Sequence, residues 1–168
     1  MNQLTTTDLA YCVRRLPKDV TEMLRAHCLF VGGGFIRETI AGAAPKDIDL
    51  FGDDKESLSR IAESLSSMRQ GRLHWTDNAI TLLSPPRMPL QLITRWCFTE
   101  PQSLVASFDF TVCQAVIWFN KDAQTFASAC SDSFYSDLAA RRLVYTFPMR
   151  EEEAGGSMMR VRKFLQRG

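Results

Sequence analysis

Histidine is nearly missing from this 168-residue chain: His27 and His74 are the only two, and neither has a metal-ligating neighbour at zinc spacing. That sets aside a zinc centre and any mechanism built on a histidine general base. Cysteine is sparse and odd in number: Cys12, Cys28, Cys97, Cys113 and Cys130 are widely separated and form no Cys-x-x-Cys pair. The expectation is reduced, mostly buried thiols in a cytoplasmic protein. Long apolar runs are absent too: no stretch approaches the roughly 20 residues of a membrane helix, so no membrane partner is expected. The opening residues, Met1-Asn2-Gln3-Leu4-Thr5, carry neither a basic segment nor an apolar h-region, which argues against secretion. Charge of one sign is also lacking, since 20 Lys+Arg oppose 19 Asp+Glu for a net charge of +1. No whole-molecule field therefore announces a nucleic-acid binder. Chemistry, if present, rests on carboxylates, arginines and backbone.

What is there suits one α/β domain with a real core, at 45% hydrophobic and 23% charged residues. The patterning predicts short helices over Thr7 to Cys12 and Val20 to Ala26, with a threonine N-cap for the first. His27 to Val31 reads as a buried strand stopped by three glycines, Phe35 to Ala41 as a helix ended by Gly42, and Asp47 to Phe51 as a second strand. Asp53 or Asp54 caps a helix through Met68, with Leu58, Ile61, Ala62, Leu65 and Met68 on one side. Asp77-Asn78 joins a hairpin of Arg72 to Thr76 and Ala79 to Leu83. Leu90 to Trp96 is a strand, Glu100 to Ala106 a helix, and Phe110 to Phe119 the longest strand candidate. A helix over Ser133 to Arg141 and a strand over Leu143 to Phe147 follow. Residues 1–150 then form a head; 151–168 comprise a linker, Glu151 to Gly156, and a basic helix, Met158 to Gln166. The sum is a mixed sheet flanked by helices, with a short C-terminal helical appendage.

The informative stretch is FVGGGFIRETIAGAAPKDIDLF, residues 30–51. A strand runs into Gly32-Gly33-Gly34 and a helix follows at once. Glycines let the backbone approach a ligand, and the first helical N–H groups favour an anion. Arg37, one turn in, adds a guanidinium to the same anion. Asp47 and Asp49 lie one residue apart on an expected strand, so both carboxylates share a face while Ile48 and Leu50 point to the apolar side. Two carboxylates that close repel unless a cation sits between them, and oxygen-only ligands suit Mg²⁺ or Mn²⁺. A phosphate cradle beside such a pair is a constellation for phosphoryl or nucleotidyl transfer.

These residues resemble a known signature. Gly33-Gly34-Phe35-Ile36-Arg37-Glu38 followed by Lys46-Asp47-Ile48-Asp49-Leu50-Phe51 is similar to the motif of polymerase-beta-like nucleotidyltransferases. The resemblance is to the head domain of class II CCA-adding enzymes and bacterial poly(A) polymerases, in a minimal form. It places Gly33, Gly34 and Arg37 on the phosphate-binding positions, with Lys46 a candidate for the triphosphate, and Asp47 and Asp49 on the metal-binding pair. Downstream, Phe108-Asp109-Phe110-Thr111-Val112-Cys113-Gln114-Ala115 is similar to the strand that carries the family's third carboxylate, at Asp109. On a strand, Asp109, Thr111 and Cys113 share one face. Asp137-Leu138, Arg142-Leu143 and the Arg160-Val161-Arg162-Lys163-Phe164 stretch resemble segments at the end of the head, and make Arg160 and Lys163 candidate contacts for RNA or a partner.

The departures are specific. Glu38 replaces the usual Asp, Ser107-Phe108 stands where the family has an arginine pair, and Glu153-Ala154-Gly155-Gly156-Ser157 lacks the Asp and Arg that read the incoming base. The resemblance implies a Mg²⁺- or Mn²⁺-dependent transferase in which Asp47, Asp49 and Asp109 are catalytic and metal-binding. It would move a nucleoside monophosphate from a nucleoside triphosphate to a hydroxyl, an RNA 3′ end ahead of other acceptors, with release of pyrophosphate. Two alternatives stay open: a nucleotide-sensing or partner-binding module of phage or host-defence origin, and an antitoxin-like transferase acting on a partner protein.

Overall fold

The computed structural model describes residues 1–146, 148 and 155–167. Among them, seven strands form one mixed sheet in the order β3-β4-β5-β2-β1-β6-β7. The strands are β1 (Leu29–Gly32), β2 (Ile48–Gly52), β3 (Arg72–Trp75), β4 (Ala79–Leu83), β5 (Leu90–Ile93), β6 (Ala115–Asn120) and β7 (Thr125–Cys130). Every pairing is antiparallel except β2 with β5. Helices α1 (Thr6–Arg15), α2 (Lys18–Ala26), α3 (Gly34–Ile40), α4 (Lys55–Arg69), α5 (Pro101–Ser107), α6 (Phe134–Ala139) and α7 (Gly155–Arg167) accompany it. No described helix is long and apolar enough to cross a membrane.

Local chemistry accounts for most boundaries. Thr5 caps α1 by accepting from the Asp8 N–H, and Asp54 caps α4 by accepting from the Ser57 N–H, each satisfying an orphan donor. Gly42 takes φ +74° just after α3. The main core lies under α4, where Leu58, Ile61, Ala62 and Leu65 meet Ile48 and Leu50 of β2 and Leu90 and Leu92 of β5. Met68, expected on that face, is 52% exposed, because the buried stripe of the helix continues from Leu65 to Arg69, one turn on, and leaves Met68 beside it. A bidentate pair locks the end of α4 to α2: Arg69 Nε and Nη2 donate to Asp19 Oδ2 and Oδ1 at 2.6 and 2.9 Å, with the Arg69 side chain 1% exposed.

Three expectations need correction. Phe110 to Phe119 is not one strand. Thr111–Cys113 is a 3₁₀ turn and β6 begins at Ala115, so alternation does not govern Asp109, Thr111 and Cys113. The turn forms because the Thr111 hydroxyl donates 2.6 Å to the buried Asp137 carboxylate, whose other oxygen pairs with Arg142 at 2.8 Å. β7, all six residues paired to β6, was not predicted. Over Leu143 to Phe147 only Tyr145 makes a bridge, to Phe110, and Phe147 lies outside the described residues. In the expected linker, residues 151–154 likewise lie outside them, while Gly155 and Gly156 already belong to α7.

Candidate functional site

β1 and β2 set the frame. Gly32 of β1 registers with Asp49 of β2. Ile48 and Leu50 are fully buried beneath the sheet, which leaves Asp47 and Asp49, both part-buried, on the other side of the strand. After Gly32 the chain turns at Gly33, with φ +70° and ψ −142°, and enters α3. That turn brings backbone against carboxylate: a Cβ at Gly33 would sit 2.6 Å from Asp49 Oδ2. Gly32 is also closely packed, since a Cβ there would lie 2.9 Å from the Phe108 ring and 3.1 Å from Phe51.

The cleft over this turn has a volume of about 330 Å³. Gly33, Gly34, Arg37, Asp47, Asp49 and Asp109 all line it, as do Arg160 and Lys163. Lys46 is exposed and is not among the lining residues. Arg37 is held on three sides: Nη2 donates to Glu38 Oε1 at 2.9 Å, Nη1 to Cys113 Sγ at 3.1 Å, and the guanidinium stands 4.8 Å over the Phe164 ring. Asp109 is buried, reached by a different route from the expected strand. Its Oδ2 accepts from the Ser157 hydroxyl at 3.0 Å and forms a short ion pair with Arg160 Nη1, while its carbonyl accepts from the Thr146 N–H at 2.9 Å. Arg160, anticipated as a contact for RNA or a partner, is thus inside the cleft.

Burial pushes the Asp49 carboxyl up to about 7, and the charge of Asp47 adds to the effect, opposed by Arg160 and Arg37. A hard divalent cation beside Asp47 and Asp49 would relieve that conflict, so the all-oxygen pair fits Mg²⁺ or Mn²⁺. Asp47, Asp49 and Asp109 line one cleft, while among the described residues no group of three His, Cys, Asp or Glu side chains is arranged to hold a metal. Asp109 is paired with Arg160. Cys113, pushed up to about 11 by burial, is a neutral thiol at ordinary pH, which suits a packing and hydrogen-bonding role.

Ser107 and Phe108, at the arginine-pair position, line the cleft, and sequence reasoning missed Gln91 and Ile93 beside them. Gln91 had a usable signal, since β5 runs parallel to β2 and registers Gln91 with Asp49. Trp96, at the end of the expected Leu90 to Trp96 strand, also lines the cleft.

Comparison with known proteins adds three findings. A model of the Gabija anti-defense 2 family matches residues 6–141. A curated relative from Bacillus phage SPbetaL7, "Gabija anti-defense 2", is 31% identical over 111 residues, which are 66% of this chain and 27% of the relative. The chain therefore spans about a quarter of that relative's length. Among solved structures, a Thermotoga maritima CCA-adding enzyme complexed with tRNA superposes over 100% of this chain and 42% of its own, with a TM-score of 0.69 and 19% identity. A CCA-adding enzyme with CTP covers 87% of this chain and 38% of its own, at a TM-score of 0.64 and 18% identity. These likenesses show the polymerase-beta-like nucleotidyltransferase fold.

Proposed function

The chain belongs to the Gabija anti-defense 2 family, and on that footing we propose that its cleft binds a nucleoside triphosphate with Mg²⁺ or Mn²⁺ and transfers the nucleoside monophosphate to an acceptor hydroxyl in the service of phage anti-defense. The observation that carries this reading is the meeting of the Asp47/Asp49 pair with the Gly33–Gly34 turn and Arg37 in one cleft.

In this reading Asp47 and Asp49 hold the cation. When bound, the metal neutralises charge on the phosphates and on the departing pyrophosphate. The Gly33–Gly34 backbone and Arg37 orient the β- and γ-phosphates, which leaves the α-phosphorus open to in-line attack. The acceptor oxygen forms the new bond to that phosphorus, the bond to pyrophosphate breaks, and the hydroxyl proton passes to the Asp109 carboxylate. Support for an RNA 3′ end as acceptor comes from the fold neighbour complexed with tRNA, and from Lys163, exposed on α7, as a cation for an RNA backbone.

The test is incubation with each labelled nucleoside triphosphate, Mg²⁺, total cellular RNA and total protein, read as pyrophosphate release and label transfer. Transfer to RNA that disappears in the Asp47→Ala, Asp49→Ala double variant supports the proposal; full turnover by that variant refutes it. A second reading, a nucleotide-binding module without turnover, is favoured by the engagement of Asp109 with Arg160. Calorimetric nucleotide binding without pyrophosphate release from any acceptor pool would select it.

A further inference from the structure

One helix reaches both halves of the cleft. From α7, Ser157 and Arg160 donate to Asp109 Oδ2, and Phe164 lies between Arg37, 4.8 Å from its centroid, and Phe110, 5.5 Å from it. The helix thereby occupies the third carboxylate and the phosphate-facing arginine together. A guanidinium thus stands among carboxylates where the proposed function asks for a divalent cation and the charge of a triphosphate.

The hold is shallow. Val161 and Phe164 are only partly buried against Phe110, Val112 and Cys113, and no described side chain of α7 is fully buried. Arg160 keeps 39% of its side chain exposed. A segment held by a few such contacts opens at low cost compared with the core.

We propose that α7 is a latch on the cleft: Arg160 satisfies Asp109 in the free protein, and binding of the metal–nucleotide complex displaces the helix. The inference rests on the nucleotide-binding reading above. Because α7 and the metal–nucleotide compete for Arg37, and the Arg160–Asp109 pair steadies the closed helix, each weakens the other by the same factor. Release frees Asp109 to take the acceptor proton and frees Arg37 to meet phosphate, so the site is complete only when loaded.

Hydrogen exchange on the full chain, with and without Mg²⁺ and a non-hydrolysable nucleoside triphosphate analogue, reads the latch without any turnover. Faster exchange of the α7 amides on loading is expected. Calorimetry of Arg160→Gln and Phe164→Ala with the same mixture is the second readout. Arg160→Gln is expected to bind about tenfold more tightly than the wild type, from losing one charge-assisted contact that opposes binding, and Phe164→Ala about threefold more tightly, from losing the cation–π contact that covers Arg37. Each should also show fast α7 exchange before loading, and thermal melts verify that both variants stay folded. Weaker binding by both variants overturns the latch and makes α7 a fixed wall of the nucleotide site. Wild-type binding with α7 protection unchanged also removes the latch but leaves the nucleotide reading standing. Absence of binding by the wild type and both variants refutes the nucleotide reading itself, and the latch with it.

Discussion

Replacing Gly33 by alanine probes the backbone on which the cleft is built. At φ +70° and ψ −142° the residue lies in a region open almost only to glycine, which costs a side-chain-bearing residue about 1–3 kcal/mol. The new Cβ would also meet Asp49 Oδ2 at 2.6 Å, so the carboxylate must swing away from its place in the cleft. Adding about 1 kcal/mol for that displacement gives a total of about 2–4 kcal/mol. Gly42 is the internal control: it too has a positive φ, +74°, but a Cβ there meets nothing within 4 Å, so Gly42→Ala carries about 1 kcal/mol of backbone strain alone. In a chain of this size each kcal/mol moves the melting temperature by roughly 2–4 °C, so Gly33→Ala should lower it by about 4–16 °C and Gly42→Ala by about 2–4 °C. Thermal unfolding followed by circular dichroism measures both. The decisive step is to repeat Gly33→Ala in an Asp49→Ala background, where the clash is gone and the cost should fall by about 1 kcal/mol. An unchanged cost in that background, or equal effects at the two glycines, would refute the reasoning.

Other predictions concern the scaffold around the cleft. Asp19→Asn leaves the buried Arg69 guanidinium without its carboxylate and should lower stability by about 2–3 kcal/mol, less than a fully buried pair because Asp19 is partly exposed; urea denaturation reads it. The hydrogen bond from Arg69 holds the Asp19 carboxyl below its ordinary value. Its stabilisation is therefore present above about pH 4, where the unfolded carboxyl is ionised, and is lost as pH falls toward the depressed folded value. The stability of Asp19→Asn should accordingly change less with pH in that acid range than the wild type's. Thr111→Val removes the donor 2.6 Å from the buried Asp137 oxygen and should cost about 1–2 kcal/mol in the same assay. Gly71→Ala would place a Cβ 2.6 Å from Leu82 and 2.9 Å from the Leu83 carbonyl, and should cost about 1–3 kcal/mol by overpacking, seen as a lower melting temperature.

Where local pattern and tertiary demand coincide, the fold is readable in advance. The capping threonine and aspartate, the glycine stop after β1 and the Asp77-Asn78 hairpin all act within a few residues, and the observed elements follow them. The acidic pair is legible for the same reason: a strand's period of two sends Ile48 and Leu50 into the core and leaves Asp47 and Asp49 on the other side. The stretch around Thr111 misleads because its composition suits a strand throughout, while the Thr111–Asp137 hydrogen bond, 26 residues away in sequence, bends it into a 3₁₀ turn. β7 hides because Thr125-Phe126-Ala127-Ser128-Ala129-Cys130 is rich in small residues, and only pairing along all of β6 makes it a strand.

From composition and short-range periodicity alone came an α/β chain with a glycine turn running into a helix and two carboxylates on one strand face, because those features depend on neighbours within a few peptide units. Tertiary structure decided where Asp109 lands, that Arg160 meets it, and that Phe164 covers Arg37. These contacts join residues 51 to 127 positions apart. No local pattern encodes such pairings; packing of α7 against Phe110, Val112 and Cys113 brings them together.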